Sequence, residues 1–127
     1  MRTRPKVLII EDVPLQREMY ETALQDAGYT VVCATRGRSG YDLAVTEQPD
    51  VIIADLGLPD VDGSVVCAWR AANPATAAIP VVILTASDQH DIELRAATAN
   101  VAARLHKSGP LSLLTAAVET ALGHQQK

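Results

Sequence analysis

The chain has 127 residues, of which 48% are hydrophobic and 20% are charged. This length is typical of one domain, and the composition excludes a disordered or low-complexity chain. The net charge of −4, with one Trp, three Tyr and no Phe, argues against binding of nucleic acid or of an anionic membrane surface. No apolar run is long enough to span a membrane, and Cys33 and Cys67 predict neither a disulfide framework nor a metal site. We therefore expect one cytoplasmic domain over residues 1–127.

Short apolar runs recur along the chain and predict five β-strands. They cover Lys6–Ile10, Thr30–Ala34, Val51–Ala54, Pro80–Leu84 and Ala102–His106. Three of these runs are apolar without alternation, which is typical of strands buried on both faces of a parallel sheet. The last run is interrupted by Arg104 and His106, which favours an edge strand.

The stretches between these runs predict five helices. They cover residues 14–27, 38–47, 63–72, 88–99 and 110–122. The boundary signals are Pro14 and Gly28 for the first helix, Asp62 as N-cap of the third, Ser87 and Asp88 as caps of the fourth, and Pro110 and Gly123 for the last. Alternating strands and helices predict an α/β fold of three layers, in which an open parallel sheet carries the five helices distributed over its two faces. The core is expected over residues 5–122, with a short polar tail over 123–127.

Polar residues stand at the ends of four predicted strands. Glu11 and Asp12 follow the first strand, Asp55 the third, Thr85 the fourth and Lys107 the fifth. In a parallel α/β sheet these ends meet at the edge where ligands bind. Neighbouring carboxylates repel unless a cation lies among them, and oxygen ligands favour Mg²⁺, while a lysine and a hydroxyl suit a phosphoryl group. Each residue alone could be an ordinary cap or surface group, but together they predict phosphoryl transfer to a carboxylate, with Asp55 as nucleophile.

These residues lie in segments that resemble the receiver domain of two-component response regulators, including the chemotaxis regulators. The resemblance covers residues 5–122 and rests on KVLIIED, on DLGLPDVDG around Asp55, on VVILTAS through Thr85, and on Lys107. It implies a flavodoxin-like (βα)5 fold with strand order 2-1-3-4-5. It also implies that Asp55 is the phosphoacceptor and that Thr85 and Lys107 bind the phosphoryl group.

The resemblance further implies a Mg²⁺ site and a set of partners. Asp12 and Asp55 would hold the ion directly, Glu11 through a water, and Gly57 through its carbonyl oxygen. The phosphoryl donor would be a histidine kinase or a histidine phosphotransfer protein. Such a domain is a signalling module that assists its own phosphorylation and dephosphorylation. Its phosphorylated form would bind a downstream protein, and it would be a monomer or a phosphorylation-dependent dimer.

The segment after the lysine departs from the family pattern. Many receivers have a proline directly after the lysine, joined by a cis bond, whereas here Ser108 follows Lys107 and the proline is Pro110. A cis bond before Ser108 would cost about 2.5–4 kcal/mol, against about 0.5–1 kcal/mol before a proline. Either that strain is stored in the site or the loop takes another path. We expect Lys107 to reach the site in both cases.

Arg104 is a second departure, because receivers commonly carry Tyr or Phe three residues before the lysine. It is either an exposed edge-strand residue or, with His106, part of a partner surface formed with the fourth and fifth predicted helices. Small residues also surround the expected acceptor, namely Gly57, Ala86 and Ser87. They leave room for water and for the donor, which predicts that hydrolysis of the acyl phosphate is not sterically shielded.

Three alternative functions remain to be weighed. The chain could be the receiver of a longer response regulator with a DNA-binding or enzymatic output domain. Asp60-Val61-Asp62-Gly63-Ser64 also matches the DxDG[TS] loop of haloacid-dehalogenase-type phosphatases, although there the first Asp directly follows a strand. Direct sequence-specific DNA binding is disfavoured, because the chain has no basic patch and no residues are left over for a helix-turn-helix.

Overall fold

A five-stranded parallel sheet in the order β2-β1-β3-β4-β5 organises the computed structural model, which describes residues 4–86 and 101–125. The strands are β1 (Lys6–Ile10), β2 (Thr30–Ala34), β3 (Val51–Asp55), β4 (Val81–Thr85) and β5 (Val101–His106). The helices in the described residues are α1 (Pro14–Asp26), α2 (Gly37–Glu47), α3 (Gly63–Ala72) and α4 (Leu111–Gln125). The helix predicted over 88–99 and its caps Ser87 and Asp88 lie outside the described residues. The predicted strand order is confirmed.

Two hydrophobic clusters lie on opposite faces of the sheet and account for the three layers. Along β3, Ile52 and Ala54 pack in the cluster that contains side chains of α2 and α3. Val51 and Ile53 pack in the other cluster, against α1 and α4. The central strands β1, β3 and β4 are buried on both faces, whereas β5 alternates between half-buried and exposed residues at the edge of the sheet. The apolar runs without alternation are therefore explained by burial on both faces.

Within the described residues, the predicted element boundaries agree with the structure to within one residue, except at the end of the last helix. Pro14 begins α1, and Gly28 follows its end with a φ of +100°, a conformation that glycine adopts without strain. Helix α4 begins at Leu111, one residue after Pro110, and continues beyond Gly123 to Gln125. Gly123 does not take a positive φ, so it is accommodated inside the helix at a cost in propensity.

The strands end level with one another at the carboxyl edge of the sheet. Ile10 pairs with Ala54, one residue before Asp55, which pairs with Leu84. Thr85 in turn pairs with His106, one residue before Lys107. Asp55 and Thr85 are thus the last residues of their strands, where we predicted the first residues after them. This register brings residues that are far apart in the sequence to one place.

The remaining sequence expectations about the whole chain concern the membrane and the cysteines. None of the helices in the described residues is long and apolar enough to cross a membrane. Cys33 and Cys67 are both free thiols. Burial raises the pKa of each thiol to about 11, so neither forms a reactive thiolate near neutral pH.

Candidate functional site

A cavity of about 230 Å³ opens at the carboxyl edge of the sheet, and we call it the strand-end cavity. It is lined by Asp12, Val13, Asp55, Leu56, Gly57, Thr85, Ala86 and Lys107. Glu11, the remaining predicted site residue, is fully buried and within ion-pair distance of Lys107. Asp55 is 3% exposed and Thr85 is 6% exposed, so the polar groups at this edge are largely withdrawn from water. The structure therefore brings together all of the residues named from the strand ends.

Lys107 is the cation of the site. Its Nζ lies 2.9 Å from Asp55 Oδ2 and 2.9 Å from Glu11 Oε1. The second Asp55 oxygen, Oδ1, accepts a hydrogen bond of 3.1 Å from the Gly57 amide. Both carboxylate oxygens of Asp55 are thus oriented by neighbouring donors, and the lysine reaches the site as expected.

The loop that carries Lys107 takes its path without a cis peptide bond, since none occurs in the described residues. The Lys107 amide donates to the Thr85 carbonyl at 2.9 Å and the Gly109 amide donates to the His106 carbonyl at 3.0 Å. The Ser108 amide also donates to His106 Nδ1 at 3.1 Å. A turn closed by His106 therefore holds the chain directly after Lys107, where Ser108 stands in place of a proline.

Burial and mutual charge shift the pKa values of this cluster. Burial raises the pKa of the Glu11 carboxyl above its ordinary 4.5, and the charge of Asp55 raises it further, against the lowering effect of Lys107. Burial alone would lower the pKa of Lys107, but Glu11 and Asp55 together outweigh it and hold that pKa above 10.5. The ammonium is therefore charged at any physiological pH, and Glu11 keeps its proton to a higher pH than an exposed glutamate.

Three carboxylates could hold a metal ion here. One oxygen from each of Glu11, Asp12 and Asp55 lies within 4.8 Å of the others. Both oxygens of Glu11 already have partners, because Oε1 pairs with Lys107 and Oε2 accepts from the Val13 amide at 3.3 Å. Asp12 is half-buried and lines the cavity. An all-oxygen donor set with an open cavity fits a hard divalent cation such as Mg²⁺.

Asp60 and Asp62, the other two acids of the DLGLPDVDG segment, have structural partners. Asp62 is the N-cap of α3, as predicted, and its Oδ1 accepts from the Ser64 amide at 2.9 Å. Asp60 Oδ1 accepts from the Gly37 amide at 2.7 Å and Oδ2 from the Arg38 amide at 2.9 Å, so it caps α2 from another loop. Those hydrogen bonds lower the pKa of Asp60 below 3.8. Asp60 is neither at a strand end nor in the cavity, which counts against the phosphatase alternative.

Two glycines shape the loop after Asp55 for different reasons. A Cβ on Gly63 would collide with the Asp55 carbonyl oxygen and with the Leu56 backbone, so the start of α3 can approach β3 only through a glycine. A Cβ on Gly57 would have Asp55 Oδ1 as its nearest neighbour at 4.0 Å. Gly57 is thus spatially free to be replaced, and its side-chain position faces the Asp55 carboxylate.

Arg104 and His106 lie on the exposed side of the edge strand β5. Val101, Ala103 and Leu105 occupy the alternate, half-buried positions of that strand. Arg104 therefore stands where its side chain is exposed, and no aromatic ring occupies that position. The partner surface proposed for these residues includes the helix predicted over 88–99, which lies outside the described residues.

The sequence of this chain is similar to that of a known protein family and of several characterised proteins. Residues 7–119 match the sequence model of the family described as the response regulator receiver domain. The chain belongs to this family. It is 46% identical over 85 residues to the DNA-binding dual master transcriptional regulator RpaA of Synechocystis sp., covering 67% of this chain and 35% of that protein. It is 33% identical over 84 residues to Protein PilH of Pseudomonas aeruginosa, covering 66% and 69%.

Solved structures agree with the family and with the fold. The chemotaxis response regulator CheY4 of Vibrio cholerae matches with a TM-score of 0.85 and 27% identity, covering 94% of this chain and 100% of that one. The chain spans between 33% and 43% of the length of the first curated relatives that it matches, all of them transcriptional regulators. The similarity therefore covers the receiver domain of two-component response regulators. It does not extend to the activities of the longer proteins.

Proposed function

We propose that this receiver domain accepts a phosphoryl group on Asp55 and releases it by hydrolysis. One observation carries the proposal: the Asp55 carboxylate lies at the cavity with Lys107 Nζ 2.9 Å from one oxygen and the Gly57 amide 3.1 Å from the other. Such a carboxylate is held in place, borders a cavity that opens at the edge of the sheet, and stands beside a positive charge that an incoming phosphoryl group needs.

The transfer requires in-line attack and neutralisation of charge. An Asp55 oxygen attacks phosphorus, the bond from phosphorus to the donor histidine nitrogen breaks, and the departing imidazole keeps that electron pair and takes up a proton from solvent. Lys107 stays protonated and moves its charge from the free carboxylate to the phosphoryl oxygens. Thr85, at the end of β4 and lining the same cavity, offers its hydroxyl to one of those oxygens.

A divalent cation would balance the negative charge of the carboxylates and of the incoming phosphoryl group. Mg²⁺, bound by Asp12 and Asp55 with the Gly57 carbonyl and with Glu11 through a water, would neutralise the phosphoryl oxygens. The cluster supports this assignment because Lys107 is the one cation among the described residues that line the cavity, against three carboxylates. Without a further positive charge the cluster keeps a net negative charge that would repel a phosphoryl donor.

The donor is inferred from the surroundings of the cavity mouth. Val13 lines the cavity and is 41% exposed, and Leu15 and Met19, on the helix that begins directly after Val13, are 68% and 44% exposed. Leu113 on α4 is 51% exposed. An apolar surface beside a charged cavity suits a protein donor, which would bury these side chains while presenting a phosphohistidine. The donor would be a histidine kinase or a histidine phosphotransfer protein.

Phosphorylation would then shift the population between two conformations of the surface that binds a downstream protein. When Thr85 and Lys107 hold the phosphoryl group, β4, β5 and the loop between Lys107 and α4 are pulled towards it, and a downstream protein binds the altered surface. Arg104 and His106 on β5 are the candidate contacts for that protein. An Arg104→Ala variant that binds the partner with unchanged affinity in both phosphorylation states would remove Arg104 from this surface.

Intact mass spectrometry tests the acceptor directly. The protein is incubated with Mg²⁺ and acetyl phosphate, and the expected product is heavier by one phosphoryl group. Asp55→Asn should abolish the increment, and a chelator should abolish it in the wild-type protein. Asp60→Asn is the matched control, because it changes another acid of the same loop whose carboxylate caps α2, and it should be phosphorylated normally.

The outcome that contradicts the proposal is equally specific. If the wild-type mass is unchanged under conditions that phosphorylate another receiver domain, Asp55 is not an acceptor. If Asp55→Asn still gains the increment, another residue is phosphorylated. Size-exclusion chromatography of the same samples separates the monomer from a phosphorylation-dependent dimer.

A further inference from the structure

A second concavity lies between α2 and α3, away from the residues of the strand-end cavity, and we call it the α2–α3 groove. Its volume is about 440 Å³, and it is lined by Arg38, Tyr41, Trp69, Ala72, Asn73 and Pro74. The chain has four aromatic residues, and two of them, Tyr41 and Trp69, meet here. Trp, Tyr and Arg are the residue types that dominate protein recognition sites. The concentration of them in one groove calls for an explanation beyond the core.

The groove is held in one shape by contacts among its own side chains. The Tyr41 and Trp69 rings meet edge to face, with centroids 5.6 Å apart and planes at 61°. The Arg38 guanidinium lies over the Trp69 ring, 5.7 Å from its centroid. Asn73 Nδ2 donates to the Tyr41 hydroxyl oxygen at 2.9 Å and so joins the end of α3 to α2. A ligand would therefore meet rings that are already ordered, which reduces the entropy lost on binding.

The hydrogen-bonding capacity left in the groove is that of a donor. The Tyr41 hydroxyl accepts from Asn73, so its own proton is available to an outside acceptor. The Trp69 indole N–H also makes no hydrogen bond within the described part of the chain. Both the Tyr41 and the Trp69 rings are half-buried. Two ring-borne donors between apolar surfaces suit the carbonyl groups of an extended backbone. Grooves lined by Trp, Tyr and Pro of this kind bind proline-containing segments in the polyproline II conformation.

The charge at the rim indicates which such segment would fit. Arg38 is 70% exposed and its Nε lies 3.4 Å from Asp42 Oδ1, which is 60% exposed. Exposed pairs of this kind contribute little stability, so a ligand carboxylate can replace Asp42 as the partner of Arg38. The first turn that carries Arg38 is anchored, because Asp60 accepts from the Arg38 amide. Among the described residues that line the groove, Arg38 alone carries a charge, so a ligand carboxylate meets an opposite charge there and a ligand lysine does not.

We propose that the α2–α3 groove binds an extended, proline-containing segment of a partner protein that carries a carboxylate next to its prolines. The rings and Pro74 would contact the prolines, Tyr41 and Trp69 would donate to backbone carbonyls, and Arg38 would pair with the carboxylate. None of these residues lines the strand-end cavity, so this binding does not depend on phosphorylation of Asp55.

Trp69 is the single tryptophan of the chain, so its fluorescence reports on the groove without a label. The probe is a blocked peptide of about ten residues, about 31 Å long in the polyproline II form, rich in proline and containing two glutamates. We expect a saturable change in Trp69 emission below about 1 mM peptide. The same peptide with lysines in place of the glutamates should bind at least tenfold more weakly, and replacement of its prolines by alanines should abolish binding.

Charge reversal at the rim sharpens the test. Arg38→Glu should exchange the preference, so that the lysine peptide binds better than the glutamate peptide, and Arg38→Gln should bind both equally. Arg104→Glu is the matched control, since it makes the same change of charge on β5 and should leave the preference unaltered. Asp55→Asn should also bind the glutamate peptide normally, which separates this proposal from the phosphoacceptor assignment.

Three results would overturn the proposal. The first is the absence of a saturable emission change up to about 1 mM peptide in the wild-type protein. The second is equal affinity for the glutamate and lysine peptides. The third is a folded Arg38→Glu variant, with an unchanged circular dichroism spectrum, that keeps the preference for glutamate.

Discussion

The strand-end cavity and the α2–α3 groove are built in opposite ways. In the cavity, residues from four strands converge because parallel strands end at one edge of the sheet, and the residues that meet there are charged. In the groove, rings on two helices meet because those helices pack side by side, and the contacts are an edge-to-face ring pair, the Arg38 guanidinium over the Trp69 ring and the hydrogen bond from Asn73 to Tyr41. The cavity is therefore fixed by topology and is sensitive to charge, whereas the groove is fixed by side-chain packing and is insensitive to charge except at Arg38.

The largest effect should come from removing the cation of the cavity. Lys107→Met leaves the buried Glu11 and Asp55 carboxylates without their shared partner, and loss of one member of a buried pair costs about 3–5 kcal/mol of unfolding free energy. Urea denaturation measures this loss, and added Mg²⁺ should restore part of it by replacing the missing positive charge. Because the pKa of Lys107 is raised, its contribution is present below pH 10.5 and is lost as the pH rises through the folded-state value.

Lys6→Met is the control for that experiment. Lys6 Nζ pairs with Glu47 at 2.8 Å, but both side chains are partly exposed, at 21% and 37%. An exposed pair of this kind should cost at most about 1 kcal/mol. If the two lysine variants lose equal stability, burial does not strengthen the pair in the cavity and the comparison above fails.

The next largest effect concerns Mg²⁺ and the raised pKa of Glu11. Glu11→Gln should weaken Mg²⁺ binding by about 10–100-fold at neutral pH, as for other residues that act on a metal through an intermediate group. In the wild-type protein the affinity should fall as the pH falls, beginning above the ordinary value of 4.5, because a proton competes at a carboxyl whose pKa is raised. The variant should lose that part of the pH dependence. Isothermal titration calorimetry at about pH 5 and about pH 7 measures both quantities.

Glu11→Gln should also change how the unfolding free energy depends on pH, and the raised pKa of Glu11 determines the sign of that change. The folded state holds the Glu11 proton more tightly than the unfolded state does. Ionisation of Glu11 therefore lowers the unfolding free energy as the pH rises from 4.5 through the folded-state pKa, and Glu11→Gln should remove this decline. A variant whose stability and Mg²⁺ affinity follow the wild-type pH profiles would show that Glu11 does not titrate in this cluster.

These predictions concern the region that the sequence describes well. The apolar runs predict the five strands of the described sheet. The rule that crevices lie at the carboxyl ends of parallel strands predicts from the sequence that Glu11, Asp12, Asp55 and Lys107 lie together. The path of the loop after Lys107 could not be predicted in this way. It depends on hydrogen bonds between Ser108 and the His106 ring, which no propensity or spacing encodes.

The groove and its surroundings depend on contacts between elements and were not predicted. The sequence singled out Asp60 only through the DxDG[TS] pattern, yet Asp60 caps a helix that begins 23 residues earlier. A signal existed, because Arg36 precedes α2 without a side-chain cap and the first amides of a helix need an acceptor. Arg70 is similar: a surface residue by type, it is 1% exposed and its Nη1 donates to the Ala77 and Ile79 carbonyls. Which acceptor a buried cation finds is decided by packing.

A smaller effect is expected where the cavity meets solvent. Gly57→Met should lengthen the lifetime of the acyl phosphate several-fold, because the new side chain faces the acceptor and hinders the attacking water. Gly57→Ala should lengthen it less. The decay of the phosphorylated mass after removal of acetyl phosphate measures the lifetimes. Equal lifetimes in the wild-type protein and Gly57→Met would show that water reaches the phosphoryl group from another direction.

The smallest effect tests whether the groove is energetically separate from the cavity. Tyr41→Phe keeps the edge-to-face ring contact with Trp69 but removes the oxygen that accepts from Asn73, which should cost about 1 kcal/mol of unfolding free energy. Urea denaturation, followed by Trp69 fluorescence and by circular dichroism, measures the loss. The rate of phosphorylation by acetyl phosphate should not change, because Tyr41 does not line the cavity.

Tyr29→Phe is the matched control for this substitution. Tyr29 packs in the cluster on the other face of the sheet, and its hydroxyl makes no hydrogen bond to another described residue. It should therefore lose less stability than Tyr41→Phe. A double-mutant cycle with Asn73→Ala isolates the pair, since Asn73 Oδ1 also accepts from the Ala75 amide and the single variant loses both bonds. A coupling energy near zero would mean that the hydrogen bond does not order the groove, and an altered phosphorylation rate in Tyr41→Phe would mean that groove and cavity are coupled through α2.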